Sequence, residues 1–202
     1  MRLLAEGRRT KVFLVRSRYG LSVLKVPKNE RAKASLWRER IALRYLSSFG
    51  VQWVPKVYEF NENGLLEEYI PGVPFYKRVK GASDEEIRRV ILESLAIAFE
   101  IDVLGVRHKE LSLAHKHVFV YDRAYLIDFG HSAIGVHRRS LPQLAAYFFF
   151  RNDYLRLFNI SKDELKEALK EYKRGYPKKF IRLIALGRGT RSPPQIFPLS
   201  TF

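Results

Sequence analysis

The chain has 202 residues, 47% of them hydrophobic and 29% charged, which is enough apolar content for a packed core and too much for a disordered chain. It has no cysteine, excluding disulfide scaffolds, thiolate zinc sites and thiol nucleophiles, while 37 basic against 21 acidic residues give a formal charge of +16 and point to polyanionic partners. The opening "MRLLAEGRR" and the later run "LAAYFFF" are too short for a secretory signal or a membrane span, so a cytoplasmic protein without membrane association is expected.

Two β-rich runs, Val12 to Val15 and Leu21 to Val26, flank "RSRYG", whose Gly20 suits a hairpin turn. A helix follows between Asn29 and Gly50, because Leu36, Trp37, Ile41, Leu43, Tyr45 and Leu46 recur at helical intervals. "WVPKVYEF" and "GLLEEYI" read as two further strands around the turn "NENG", and Pro71-Gly72 breaks the second.

Ser83 and Glu86 form an S-x-x-E capping box for a helix from Asp84 to Leu104, which Gly105 ends; Ser161 and Glu164 repeat the device for "KDELKEALKEYKR". Between them "KHVFV" and "AYLID" read as short strands about "YDR", and "SLPQLAAYFFF" as helical. Beyond Glu171 there is no acidic residue, while Lys173, Arg174, Lys178, Lys179, Arg182, Arg188 and Arg191 follow. That run is either a solvated tail or a phosphate-contacting surface. The fold class is α+β: a small antiparallel sheet with one helix over 1–72, a reduced helical part over 73–187, and a loosely held basic, proline-containing tail over 188–202.

The chemistry centres on "AYLIDFGHS", where Asp128 is either a turn residue or a metal ligand. Glu110, in "HKEL", lies 18 residues upstream. Lys25 ends the strand "LSVLK", and Glu39 sits in the helical run "WRERIAL". Taken singly, a strand-end lysine and a helical glutamate are most often surface residues. Their order on these elements is what gives them meaning.

In that order the chain resembles the protein-kinase-like superfamily, and most closely the small RIO-like and predicted archaeal Ser/Thr kinases. "GVRHKELSLAHKHVFV" is similar to the shortened catalytic loop H-x-D-L-S-x-x-N, and "DFG" follows at the family's spacing. The resemblance implies a two-lobed fold that binds ATP with Mg²⁺ or Mn²⁺. It makes Lys25 the lysine on the α- and β-phosphates, Glu39 its helix partner and Asp128 the metal ligand. Glu110 takes the place of the aspartate that orients the acceptor hydroxyl, and His108 organises the loop.

The metal-binding asparagine is replaced by His115 in an ungapped match, or by His117 if "HVFV" pairs with the family's strand. Of the glycine-rich cover only Gly7 remains, with Ala5 and Thr10 in the outer glycine positions. In "GLLEEYIPG" the Glu68 carbonyl and Ile70 amide pair with adenine if Glu67 stands at the gatekeeper position. The implied function is an ATP-dependent phosphotransferase, a small atypical Ser/Thr protein kinase whose protein substrate the sequence does not name. The alternative is an ATP-binding pseudokinase or nucleic-acid-binding scaffold, with RNA or another polyanion held by the basic C-terminal region.

Overall fold

The structure, a computed structural model, describes residues 1–135 and 138–185; the tail expected over 188–202 lies outside the described residues. It is an α+β protein with a five-stranded antiparallel sheet followed by a mainly helical part.

β1 (Arg2–Glu6), β2 (Thr10–Ser17) and β3 (Gly20–Pro27) form the first three strands. β2 and β3 make a tight hairpin in which Ser17 pairs with Gly20 and Val12 with Lys25. Gly20 has a φ of 94°, as the turn requires. β1 has no counterpart in the expected elements: all five of its residues are exposed, so no apolar alternation marks it. Pairing along β2 alone makes it a strand.

α1 (Glu30–Ser48) is capped by Asn29, whose side chain accepts the Ala32 N–H at 2.9 Å. Its buried residues Ala32, Leu36, Glu39, Leu43 and Leu46 follow a three-four spacing and form one stripe. A glutamate thus stands in the middle of an apolar face. β4 (Val57–Asn61) and β5 (Gly64–Glu68) complete the sheet in the order β1-β2-β3-β5-β4. Gly64 begins β5 at a φ of 131°, and a Cβ there would stand 2.0 Å from the Lys25 carbonyl oxygen. Only glycine lets β5 close this tightly on the end of β3.

β6 (Val73–Pro74) and the single turn α2 (Phe75–Arg78) lead to α3 (Asp84–Val103). Ile91, Leu95, Ala98 and Ile101 of α3 are fully buried, making it the central helix of the main apolar cluster. Its capping box is half formed. Ser83 accepts the Glu86 N–H at 3.2 Å, but the Glu86 carboxylate pairs with Arg78 instead of turning back.

β7 (Val106–His108), α4 (Ala114–His117), β8 (Val118–Val120), β9 (Ala124–Leu126) and β10 (Ser132–Ile134) then make two small sheets, β6-β8-β9 and β10-β7. The expected strand "KHVFV" starts only at Val118, because residues 114–117 coil into a helical turn. α5 (Ser140–Ala145) runs into a π-helical stretch, Ala146–Arg151, that buries Tyr147, Phe148 and Phe149 together.

α6 (Lys162–Lys173) has the full reciprocal box of Ser161 and Glu164. α7 (Lys178–Ala185) lies within the helical part expected over 73–187, and the basic run there is neither tail nor charged surface alone: Phe180, Ile181 and Ile184 are buried in the core. The lysines and arginines of α7 remain outside because they occupy the opposite face. No helix among the described residues is long and apolar enough to cross a membrane.

Candidate functional site

Lys25 lies on β3, paired with Val12 of β2 on one side and Leu65 of β5 on the other. Its side chain turns under the sheet, where its Nζ donates to Glu39 Oε1 at 2.7 Å and stands 2.7 Å from Glu67 Oε1. Glu39 and Glu67 are both almost fully buried, at 1% and 3% exposure. The same Oε1 of Glu39 also accepts the Phe129 N–H at 2.9 Å. One carboxylate oxygen therefore joins the ammonium of Lys25 to the peptide that follows Asp128, across 90 residues of sequence.

Burial opposes the charge on Lys25, but Glu39, Glu67 and Asp128 overcome it and raise its pKa above the ordinary lysine value. Burial also pushes Glu39 up to about 8, with Lys25 opposing and Glu67 and Asp128 adding to the rise; Glu67 moves up for the same first reason. One cation serves both buried carboxylates, so each is harder to ionise in the presence of the other.

Asp128 follows β9 with a φ of 67°, a left-handed conformation that a non-glycine residue adopts only when its surroundings hold it. Those surroundings are visible. Ser35 Oγ and Arg38 Nε of α1 donate to the Gly130 carbonyl at 2.9 and 3.3 Å, and a Cβ on Gly130 would press to 2.6 Å from Ser35 Oγ. The Asp128 carboxylate faces solvent, 51% exposed. The surrounding protein pushes its pKa up, but Lys25, His117, His108 and the Gly130 N–H prevail and hold it below the ordinary aspartate value.

His108 is the organiser of the loop. It is 1% exposed, and burial with His117 beside it lowers its pKa to about 4, so the ring is neutral. Its Nδ1 accepts the Glu110 N–H at 3.3 Å while Nε2 lies 3.1 Å from the Ile127 carbonyl. A carbonyl only accepts, so the proton is on Nε2. One tautomer thereby fixes both the backbone before Asp128 and that of Glu110.

Glu110, His117 and Asp128 each present a ligand atom within 4.8 Å of the others. His117 is 5% exposed, its Nδ1 is 4.0 Å from Asp128 Oδ2, and that buried nitrogen has no hydrogen-bond partner. Burial lowers the His117 pKa despite Asp128 and Glu110, which leaves a neutral imidazole suited to a metal. Two carboxylates and an imidazole with an orphaned nitrogen fit a divalent cation such as Mn²⁺ or Mg²⁺.

His115 does not join this set. It stacks on Tyr147 at 6.2 Å and meets the edge of Tyr76 at 6.4 Å, because two residues along the α4 turn rotate a side chain to the far side. Of the two registers, only His117 reaches Asp128.

Gly7 sits in the turn from β1 to β2, donating its N–H to the Thr10 carbonyl at 2.9 Å and accepting Lys28 Nζ at 2.9 Å. The contact from this turn to the site comes from Arg9, which reaches His131 Nε2 at 3.3 Å. Glu68 ends β5 with its N–H on the Lys56 carbonyl at 2.8 Å and its carboxylate on the Lys56 N–H at 3.2 Å. Ile70, two residues on, is buried.

Glu67, expected at the gatekeeper position, is the residue whose contact with Lys25 the sequence did not reveal. In the β3–β5 register Val23 faces Glu67 and Lys25 faces Leu65, so Lys25, Leu65 and Glu67 share one face of the sheet. An acid on the inward face of an apolar strand was the available signal. No protein-family model and no curated protein matches the chain.

Proposed function

We propose that this cleft binds ATP with Mg²⁺ or Mn²⁺, and that the protein is a small atypical Ser/Thr kinase of RIO-like type on a two-lobed protein-kinase-like fold. The observation that carries the reading is the single oxygen of Glu39 that bonds both Lys25 Nζ and the Phe129 N–H. It supports a phosphate-positioning lysine and a metal-holding aspartate acting on one polyphosphate.

In this reading Lys25 donates to the α- and β-phosphates and Glu39 aims it. Asp128 and His117 hold the cation, with Glu110 close enough to share it. Glu110 also orients the acceptor hydroxyl in this reading, its carboxylate lying within 4.8 Å of the His117 and Asp128 ligand atoms. A bound cation supplies charge neutralisation on the phosphates. Lys25 is already engaged by Glu39 and Glu67, and the carboxylates of Glu110 and Asp128 beside His117 repel a triphosphate unless a cation lies between them.

The second reading, a nucleotide-binding pseudokinase, is favoured by the direct Glu67–Lys25 pair, which occupies the lysine that phosphate would take. The two separate in one assay with γ-labelled ATP and Mg²⁺ or Mn²⁺. Phosphate incorporation that Asp128→Ala abolishes supports the kinase. Saturable nucleotide binding without incorporation selects the pseudokinase, and no cation-dependent nucleotide binding removes both.

A further inference from the structure

A second charged feature lies away from this cleft. β7 projects His108 into the core and, one residue earlier, Arg107 to the other face, since neighbours on a strand point to opposite sides. There Arg107, Arg138, Arg139 and Lys173 line one cavity of about 630 Å³ with Gln143, and among the described residues no acidic one lines it. Among the described residues none of these four cations forms an ion pair.

The nearby carboxylate of Asp102 is already engaged. Its Oδ1 accepts the Arg139 and Ser140 N–H groups at 3.3 and 2.9 Å, and its Oδ2 accepts Leu141 N–H at 3.1 Å and the Tyr172 hydroxyl at 3.0 Å. These bonds fix the backbone that presents Arg139 and leave the guanidinium groups uncompensated. Two polar atoms at the cavity are buried without partners, Arg107 Nε and Gln143 Oε1; rotation of the Gln143 amide turns its two N–H donors into the same space. Like charges gathered around one concavity repel each other until an anion enters.

We propose that this cavity binds a small phosphorylated ligand bearing more than one phosphoryl charge, with inorganic pyrophosphate as the simplest member. Four cations gathered around one open concavity match a compact anion of high charge. An RNA strand is instead followed by an extended groove with aromatic platforms for the bases, and among the described residues no aromatic one lines this cavity. The inference stands apart from the nucleotide reading and uses none of its residues.

The test is calorimetric titration of the full chain with pyrophosphate in EDTA at constant ionic strength, a condition in which the carboxylate-rich cleft holds no cation. The expected result is one saturable site, with sulfate binding more weakly. Arg107→Gln and Lys173→Glu should each weaken it at least about tenfold. Lys173 is exposed on α6, so its variant keeps the test alive if loss of the buried Arg107 Nε unfolds the protein. Affinity unchanged in Lys173→Glu overturns the proposal. So does the absence of pyrophosphate binding while uridine homopolymer binds and is released by the same substitution.

Discussion

Lys25 Nζ and Glu67 Oε1 are 2.7 Å apart in a nearly solvent-free setting, and the second oxygen of Glu67 has no hydrogen-bond partner. Glu39 already satisfies the lysine from the other side, so Glu67 is a surplus partner and a competitor for any phosphate that approaches. Glu67→Gln keeps the volume and removes the charge. The Mg²⁺–ADP dissociation constant measured by titration should fall about tenfold, ~1.4 kcal/mol. Weaker binding in the variant would make Glu67 a support for Lys25 rather than its competitor.

Glu39 has no such redundancy. Its Oε1 holds Lys25 and the Phe129 N–H together, and its loss leaves a buried cation leaning on Glu67 alone and an amide unpaired. Glu39→Ala should lower the urea unfolding free energy by ~3 kcal/mol. Glu110→Ala, at a half-buried position, should cost less than ~1 kcal/mol. Equal losses in the two variants would show that the Glu39 bridge contributes no special stability.

The two histidines of "AHKH" separate by metal titration. His117 Nδ1 is buried, unpartnered and 4.0 Å from Asp128, whereas His115 packs among Tyr76 and Tyr147. Free Mn²⁺ followed by paramagnetic resonance should show His117→Ala weakening the ion about tenfold or more and His115→Ala leaving it unchanged. The reverse pattern would restore the ungapped register.

These contrasts show where sequence was informative. Of the apolar residues that predicted α1, Leu36, Leu43 and Leu46 are buried while Trp37 and Ile41 lie exposed; Glu39 falls inside the buried stripe, a position the apolar count alone does not mark. The capping serines located α3 and α6 because their bonds are local. Non-local causes were hidden. β1 exists through pairing with β2 and has no apolar pattern of its own. The choice between His115 and His117 depended on a four-residue helical turn too short to leave a period.

Charge also masked structure. Lys178, Lys179 and Arg182 drew the reading of a solvated or phosphate-contacting segment, yet Phe180, Ile181 and Ile184 between them carry α7 into the core. Asp102 was overlooked for the opposite reason. It continues the α3 stripe of Ile91, Leu95 and Ala98 at helical spacing, and an acid in a helix that carries several others gives no sign of its distant partners.

Those partners set a pH dependence. The Tyr172 hydroxyl donates to Asp102 Oδ2 at 3.0 Å, and Tyr172 is 1% exposed. Burial first, then the Asp102 charge and this hydrogen bond, raise the Tyr172 pKa above its ordinary value. A group whose folded pKa is raised contributes stability that is complete below its unfolded pKa, ~10 for tyrosine. That contribution is lost as pH climbs from there toward the folded value, because the unfolded chain releases the proton and the native one does not. Tyr172→Phe removes the hydrogen bond and should cost ~1 kcal/mol at pH 7. Above pH ~10 its stability should fall less steeply than that of the wild type, by up to ~1.4 kcal/mol per pH unit for one proton. Urea midpoints measured between pH 7 and pH 11 read both effects. Curves that decline in parallel would assign the alkaline loss to a group other than the Tyr172 hydroxyl.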